Sequence, residues 1–527
     1  MATPIDRRTF LTALGLGGAA VVVSCAGDDE SAPGTTTGGA ATTVDDAVTT
    51  PTAGLVSDPF AWGVSSGDPT DRSVILWTRL VAATDTVVPL KWEVATDEQF
   101  SKVVGQGLVD ADPAWGHSIH LDATDLAPAT EYFFRFSVDE FVSPTGRTKT
   151  TPSDDDTLES LTIVFASCQN YAHGFYTAHD AIAADRPDAV FFLGDFIYES
   201  KGNPESFRPF DAPETVTLEQ YRDRYSLYLS DPSLQASRAA APWIVTWDDH
   251  EVENNMAGAI SENAGEDPAE FLIRRAAAYQ AYYEHQPVRL DAPEGADWAI
   301  HRTVRFGDLA EFFVLDGRQY RDDQPCDDTI LSSRTDCANF AEDRTMLGAE
   351  QEAWLTDGLT GAQTTWKVLA QQTVMAGLVI GDLVLNVDQW DGYPAARDRL
   401  LGTIAEGGID NVVVLTGDIH SAGAATLYTG PAEARVPVAA EFVGTSITSN
   451  SLVDRFPGGA DAVAAVEFEG VRYLNVKDHG YCRCTITPQR WMTEFVVIDT
   501  KVEQATPRVD ATATVVAGAP EVAVTLA

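Results

Sequence analysis

The chain has 527 residues, with hydrophobic residues at 44% and charged residues at 22%, enough length and apolar content for two or three domains with large buried cores. Its 35 Lys and Arg against 79 Asp and Glu leave a formal net charge of -44. A surface so acidic repels nucleic acid and anionic membranes, so an anionic substrate would have to be caught by a local positive focus such as metal ions or a few arginines.

The N-terminus reads as an address. Arg7-Arg8-Thr9-Phe10-Leu11 forms a twin-arginine pattern, followed by a Gly/Ala-rich apolar stretch from Leu11 to Val23. Asp6 departs from the usual Ser or Thr before the arginines. The stretch ends Val22-Val23-Ser24-Cys25, which resembles a lipoprotein cleavage box and would make Cys25 the lipidated first residue of the mature chain. An ordinary signal with a chance cysteine is the alternative. Export by the twin-arginine route to the cell envelope or the medium is expected for residues 1–25. Residues 26–56 are mostly Gly, Thr, Ala, Ser and Asp without apolar period, a flexible tether. No later window is apolar and long enough for a transmembrane helix, so membrane contact is expected through a lipid anchor alone.

Residues 57–152 read as a small all-β domain of short strands separated by turn signals. Its segment Leu126 to Phe136 resembles the late strand of a fibronectin-type sandwich, with a tyrosine held at a corner. From Leu161 short continuous apolar runs alternate with helical stretches, which predicts an α/β layered domain over 158–500. Residues 501–527 read as a short strand or frayed tail.

Four of the apolar runs end in residues able to bind metal. Leu161 to Phe165 leads into Ser167-Cys168-Gln169, and Ala189 to Leu193 into Gly194-Asp195-Phe196-Ile197-Tyr198-Glu199. Trp243 to Thr246 leads into Trp247-Asp248-Asp249-His250-Glu251 with Asn254 and Asn255 behind, and Val412 to Leu415 into Thr416-Gly417-Asp418-Ile419-His420. Taken singly, a Gly-Asp is a turn and an acidic pair a solvated loop. At the carboxyl ends of neighbouring strands they would share one cleft, where paired carboxylates need a cationic partner.

In this order SCQ, GDFIYE, TWDDHEVENN, LDGRQYR, TGDIHSA and EFVGTSITS resemble the alkaline phosphatase D (PhoD-like) family of metallophosphoesterases, over nearly the whole mature chain. The opening FAWGVSSGDP and the later LWTR are similar to that family's N-terminal β domain. The resemblance implies a four-layer α/β/β/α sandwich behind a fibronectin- or immunoglobulin-like domain. It places Asp195 as a bridging aspartate and Tyr198 at the tyrosine of purple acid phosphatases. Asp249 and His250 fall where those enzymes have a metal-binding Asn and a His, and Asp418 with His420 take the places of two histidines.

Thiolate and phenolate together favour a redox-capable, highly charged ion, so Fe(3+) is expected on Cys168, Asp195, Tyr198 and His420. The hard oxygens of Asp248, Asp249, Asn255 and Asp418 suit Ca(2+), and the family resemblance implies the same pairing. The expected activity is release of phosphate from phosphomonoesters, phosphodiesters or both by attack of a metal-bound hydroxide, with His250 as general acid. Phospholipase D-type diester cleavage and a non-enzymatic metal- or phosphate-binding lipoprotein are the competing readings. Arg318 and Arg275 are candidate phosphate donors, with structural ion pairs as the alternative, and His479 is a candidate cleft residue. Cys326 and Cys337 flank an Asp-rich loop and suit a disulfide in an exported protein, while Cys482 and Cys484 would share one face of a strand. The expected partners are small phosphate esters, with a monomeric chain.

Overall fold

The computed structural model describes residues 48–527 except 82–84, 264, 330, 457–462 and 464–465. The export signal, Cys25 and the tether up to residue 47 lie outside the described residues.

The short apolar runs form strands buried on both faces, and their alternation separates two cores. In Leu161–Ala166 the side chains of Leu161, Ile163 and Phe165 enter one core, those of Val164 and Ala166 another. The same division holds for Phe191 against Phe192, Ile244 against Trp243 and Val245, and Phe312 with Val413 on the shared side. The shared core lies between two sheets. The larger has ten strands, ordered Ala519–Leu526, Arg508–Val516, Arg490–Ile498, His479–Ile486, Leu161–Ala166, Ala189–Phe192, Pro242–Val245, Val64–Gly67, Val74–Arg79 and Ser118–Ala123. The smaller has seven, with Ala310–Val314, Trp366–Ala370, Val412–Thr416 and Val436–Val443 running parallel at its centre.

Outside the ten-stranded sheet, helices Thr177–Asp185, Leu218–Leu229, Pro232–Ala240 and Pro268–His285 supply Ile182, Tyr225, Leu234 and Phe271 to the second core. Outside the seven-stranded sheet, helices Gly348–Gly361 and Pro394–Glu406 supply Leu355, Leu359, Leu400 and Ile404 to a third. The order of layers is α/β/β/α, as expected.

The N-terminal β region differs from a self-contained sandwich. Val88–Ala95, Val103–Ala111, Glu131–Val138 and two short strands form a sheet of their own. The opposing sheet is the end of the ten-stranded one, because Val64–Gly67 pairs in parallel with Pro242–Val245. Val64, Val74, Leu76 and Ile119 face Leu90, Trp92, Phe134 and Phe136 across the sandwich core. The expected tyrosine corner is present, with the hydroxyl of Tyr132 accepting from the backbone N–H of Ala127 at 2.8 Å. Of the short strand or frayed tail expected at the C-terminus, the structure has strand, and two of them. Arg508–Val516 and Ala519–Leu526 form an antiparallel hairpin through Gly518, at φ 81°, and close the sheet edge with Ala511, Ala513 and Val515 in the inter-sheet core.

Cys326 and Cys337 form the expected disulfide. Cys482 and Cys484 fill the core between the sheets as small apolar groups. No described helix is long and apolar enough to cross a membrane.

His179 ties the helix Thr177–Asp185 to the first strand end. Its Nε2 lies 2.7 Å from Oε1 of Gln169, whose Nε2 in turn donates to the Phe196 carbonyl at 2.9 Å. Burial, reinforced by Arg238, holds the His179 pKa at about 3 against an ordinary 6.5. Between those values the unfolded chain binds a proton that the folded one refuses. Stability is therefore present above pH 6.5 and lost as pH falls toward 3, by on the order of 4 kcal/mol from this group. In urea titrations between pH 7 and pH 4.5, His179→Met should be less stable at pH 7 but should lose less on acidification. Equal acid losses in the two proteins would contradict this role.

Candidate metal centre

The strand ends turn sharply, and the turns carry the expected ligands. Cys168, Asp195, Asn255, Asp418 and His420 all have left-handed backbone, with φ of 60°, 56°, 54°, 63° and 52°. Each costs about 1 kcal/mol or more for a residue with a Cβ, and such residues persist where the surroundings over-determine them. Here the backbone is cross-tied. The Cys168 N–H donates to the Gly194 carbonyl at 3.1 Å and the Gln169 N–H to that of Asp195 at 3.0 Å. Gly194 has φ 103°, and a Cβ there would lie 2.4 Å from that of Asp248, so the second and third strand ends approach only because the residue is glycine.

The strongest tie is Glu251. Its carboxylate accepts from the backbone N–H groups of Asp195, Phe196 and Asp248, at 3.0, 2.6 and 2.8 Å. One buried side chain thereby fixes the two loops that hold Asp195, Asp248 and Asp249.

Among the described residues three groups of ligand atoms result, each within a 4.8 Å span: Cys168 with Asp195 and His420; Asp195 with Asp249 and His250; and Asp248 with Asp249 and Asp418. Asp195 and Asp249 belong to two groups each, so the three join into one site. Tyr198 belongs with the first: its hydroxyl donates to Asp195 Oδ2 at 2.7 Å, lies 3.1 Å from His420 Nε2 and accepts from Ser449 at 2.7 Å. His420 Nδ1 faces the Asn450 carbonyl at 2.9 Å, which leaves Nε2 as its ligand atom.

The electrostatics call for cations. Burial drives the carboxyls of Asp195 and Asp248 well above the usual range and Asp418 to about 6, with Arg318 opposing the rise at Asp248 and Asp418. Burial, with Asp195 next in weight, likewise raises the Cys168 thiol and the Tyr198 phenol. At Asp249 burial is outweighed by Arg318 and His250, and the carboxylate stays charged. Asp195 Oδ1 and Asp248 Oδ2 are buried with no protein donor. Buried acceptors without donors, beside a thiol, a phenol and an imidazole, fit metal ions.

His250 lies at the edge of this set. Its Nδ1 is 2.6 Å from Glu199 Oε2 and its ring 4.1 Å from that of Tyr198. Burial opposes its charge, but Glu199, Asp195 and Asp249 prevail and raise its pKa well above the ordinary value.

The expected phosphate donors are placed otherwise. Arg318 is fully buried. Its Nε donates to Asp248, its Nη1 reaches both oxygens of Asp388 at 3.0 and 2.9 Å, and its Nη2 lies 3.7 Å from both Asp249 and Asp418. It is a counter-charge inside the site, and its Nη2, buried between Asp249 and Asp418, has no hydrogen-bond partner of its own among the described residues. Arg275 is not brought to the site. Its guanidinium donates to the Gly258 carbonyl at 2.5 Å, and Gly258 N–H donates to the Arg318 carbonyl at 3.0 Å, so it braces the loop behind. His479 stands one step back, with Nδ1 3.0 Å from Ser446 Oγ, whose loop carries Ser449 to Tyr198.

Glu251, Glu199, Asp388 and Ser449 were not among the candidates. The first two sit inside the ligand motifs, immediately after His250 and Tyr198, and Ser449 lies in the quoted EFVGTSITS stretch; their position was the available signal. Asp388 closes the apolar run Leu383 to Val387, which holds the short strand Leu383–Val384, but lies outside the quoted motifs.

Glu251→Gln places an NH₂ group against backbone N–H donors. With buried bonds to a charged group worth about 1.5–3 kcal/mol each, the variant should melt lower and lose metal, because Asp195 and Asp248 are released together. A melting temperature and metal content equal to wild type would contradict the clamp.

Known proteins share the sequence and fold of this chain. The family model described as PhoD-like phosphatase matches residues 163–495, and that of the PhoD-like phosphatase N-terminal domain matches 45–152. Alkaline phosphatase D of Bacillus subtilis (strain 168) is 43% identical over 464 residues, covering 84% of this chain and 78% of its own. A solved structure titled "Structure of PhoD" superposes with TM-score 0.81 at 40% identity, over 89% of this chain and 93% of that one. The chain belongs to the PhoD-like phosphatase family and is a phosphoric ester hydrolase.

Proposed function

We propose that this phosphatase holds ferric iron among Cys168, Asp195, Tyr198 and His420, holds calcium among Asp248, Asp249, Asn255 and Asp418, and cleaves phosphomonoesters, phosphodiesters or both. The observation that carries the reading is the division of ligands: sulfur, phenol and imidazole with Asp195 at one end of the site, carboxylates alone at Asp248, Asp249 and Asp418 at the other, and His250 with Asp195 and Asp249 between them. Bound there, such cations would supply positive charge to phosphoryl oxygens and acidify water.

The chain's own groups do the rest. Glu251 and the cross-tied turns keep the ligands in place before substrate arrives, and Arg318 limits repulsion among the carboxylates. With Nδ1 committed to Glu199, a protonated His250 has Nε2–H to give to the departing ester oxygen. A second reading has its own observation: a His250 ring nitrogen lies within 4.8 Å of Asp195 and Asp249 oxygens, close enough for a ligand. Export by Arg7-Arg8 and lipidation at Cys25 belong to the same proposal, and the Cys326–Cys337 disulfide supports an oxidising destination.

Hydrolysis of an aryl phosphate beside a bis-aryl phosphate, with and without chelator, tests the activity and its metal dependence. Activity untouched after the metals are stripped would defeat the proposal. Ferric thiolate or phenolate absorbs visible light, so the purified protein should be coloured and Tyr198→Phe with Cys168→Ser should bleach it. A colourless, fully active zinc protein would end the iron assignment. A general acid contributes about 10²–10⁴-fold, and most where the leaving alcohol is poor. His250→Ala should therefore keep its metals and lose far more rate on alkyl phosphates than on nitrophenyl phosphates. Equal losses with depleted metal would make His250 a ligand.

A further inference from the structure

The environment of Asn255 leaves one freedom to be settled. Its backbone is held on both sides: the N–H donates to Asp249 Oδ2 at 2.6 Å, and the carbonyl accepts from Arg321 at 3.0 Å and Gln324 at 2.7 Å. With the backbone held, the side chain still has to choose between its two ends, because a half-turn of the carboxamide exchanges an oxygen for an NH₂ of nearly the same shape. Only the oxygen can bind a cation. The NH₂ donates to Asp328 Oδ2 at 2.5 Å. Burial pushes the Asp328 carboxyl up to about 7, with the Asn255 bond opposing the rise; the ionised carboxylate only accepts, so the flipped amide would set oxygen against oxygen.

Asp328 is itself held in an unusual turn. Cys326, Asp327 and Asp328 are consecutive non-glycine residues with φ of 65°, 53° and 50°. Such a run does not persist on local preference. It is closed by the Cys326–Cys337 disulfide across 11 positions, by the Cys326 N–H donating to Asn339 Oδ1 at 3.1 Å, and by Gln324, whose side chain donates to Asp388 at 2.8 Å.

We propose that Asp328, presented by the disulfide-closed loop, is a positioning residue: it selects the end of the Asn255 carboxamide that is offered to the oxygen-bound cation. The inference rests on Asn255 being a ligand of that cation, as proposed above. It gives the disulfide a role in the chemistry, because opening the loop frees Asp328 to leave the amide.

Calcium titration by calorimetry, on protein freed of calcium with a chelator and retaining its iron, tests this. Groups that orient a ligand from behind typically contribute about 10–100-fold in metal affinity. Asp328→Ala should weaken calcium binding by about that factor, with iron content unchanged, and so should Cys326→Ser combined with Cys337→Ser. Asp328→Asn, whose own amide can accept from the NH₂ or donate to the oxygen, no longer selects an end and should recover only part of the affinity. The decisive comparison is made in Asn255→Asp, where both ends are oxygens and orientation no longer matters. There Asp328→Ala should cost no affinity, or should tighten binding by removing a like charge. An equal loss in both backgrounds would mean that Asp328 acts only as distant negative charge, and would overturn the proposal. So would an unchanged affinity in Asp328→Ala. A wild-type protein that takes up no calcium would overturn the calcium reading and this inference with it.

Discussion

Negative charge buried at the ends of parallel strands is the constraint on which this structure depends. Asp195, Asp248 and Asp249 are all sealed from solvent, and Asp418 stands beside them. Moved out of water, such groups are unfavourable unless paired, bonded or neutralised. The fold answers in three ways. Arg318 places one guanidinium among Asp248, Asp249, Asp388 and Asp418. Backbone N–H groups and Tyr198 occupy some of the lone pairs. The oxygens still without donors, on Asp195 and Asp248, are left to cations.

The layers exist to make that possible. Strands buried on both faces leave no side-chain space for solvent; the ends of Leu161–Ala166, Ala189–Phe192 and Pro242–Val245 converge because these neighbours run parallel, whereas Val412–Thr416, expected beside them, brings Asp418 and His420 from the facing sheet. Residues in the left-handed region then turn the chain out of the sheet within one step, which keeps short side chains such as Cys168 and Asp195 within reach of one another. Glu251 holds two of these turns together. The chain's overall charge of -44 is a separate matter: it lies mainly in solvated acids and describes solubility, whereas the site's acids are few and dry.

Much of this was legible in the residues. The strands at 161–166, 189–192, 242–245 and 412–416 announce themselves as apolar runs that stop abruptly at ligand residues, and the layered core follows from their two-sided burial. Pairings between distant segments left no local mark. Val64–Gly67 reads as one more strand of a small sandwich, and nothing near it says that its partner is Pro242–Val245. The terminal hairpin was obscured for a related reason: its small Val, Ala and Thr residues look weakly apolar until the inter-sheet core is there to receive them. Side-chain purpose was harder still. Arg318 and Arg275 are both arginines near a phosphatase motif, and only burial and geometry show one as a counter-charge and the other as a loop brace. Asp328 sits in an Asp-rich loop that reads as solvent-exposed, and its contact with Asn255 depends on a turn closed from eleven residues away.

The central claim is that cations of two kinds supply the counter-charge missing at the strand ends. Anomalous diffraction from crystals of the native protein, collected on either side of the iron absorption edge, tests it most directly. The account predicts a peak among Cys168, Asp195, Tyr198 and His420 that collapses below the edge. It also predicts a second ordered cation among Asp248, Asp249, Asn255 and Asp418 with no iron signal. An active protein with no ordered cation at these residues, or with iron in the oxygen pocket and none beside Cys168, would contradict it.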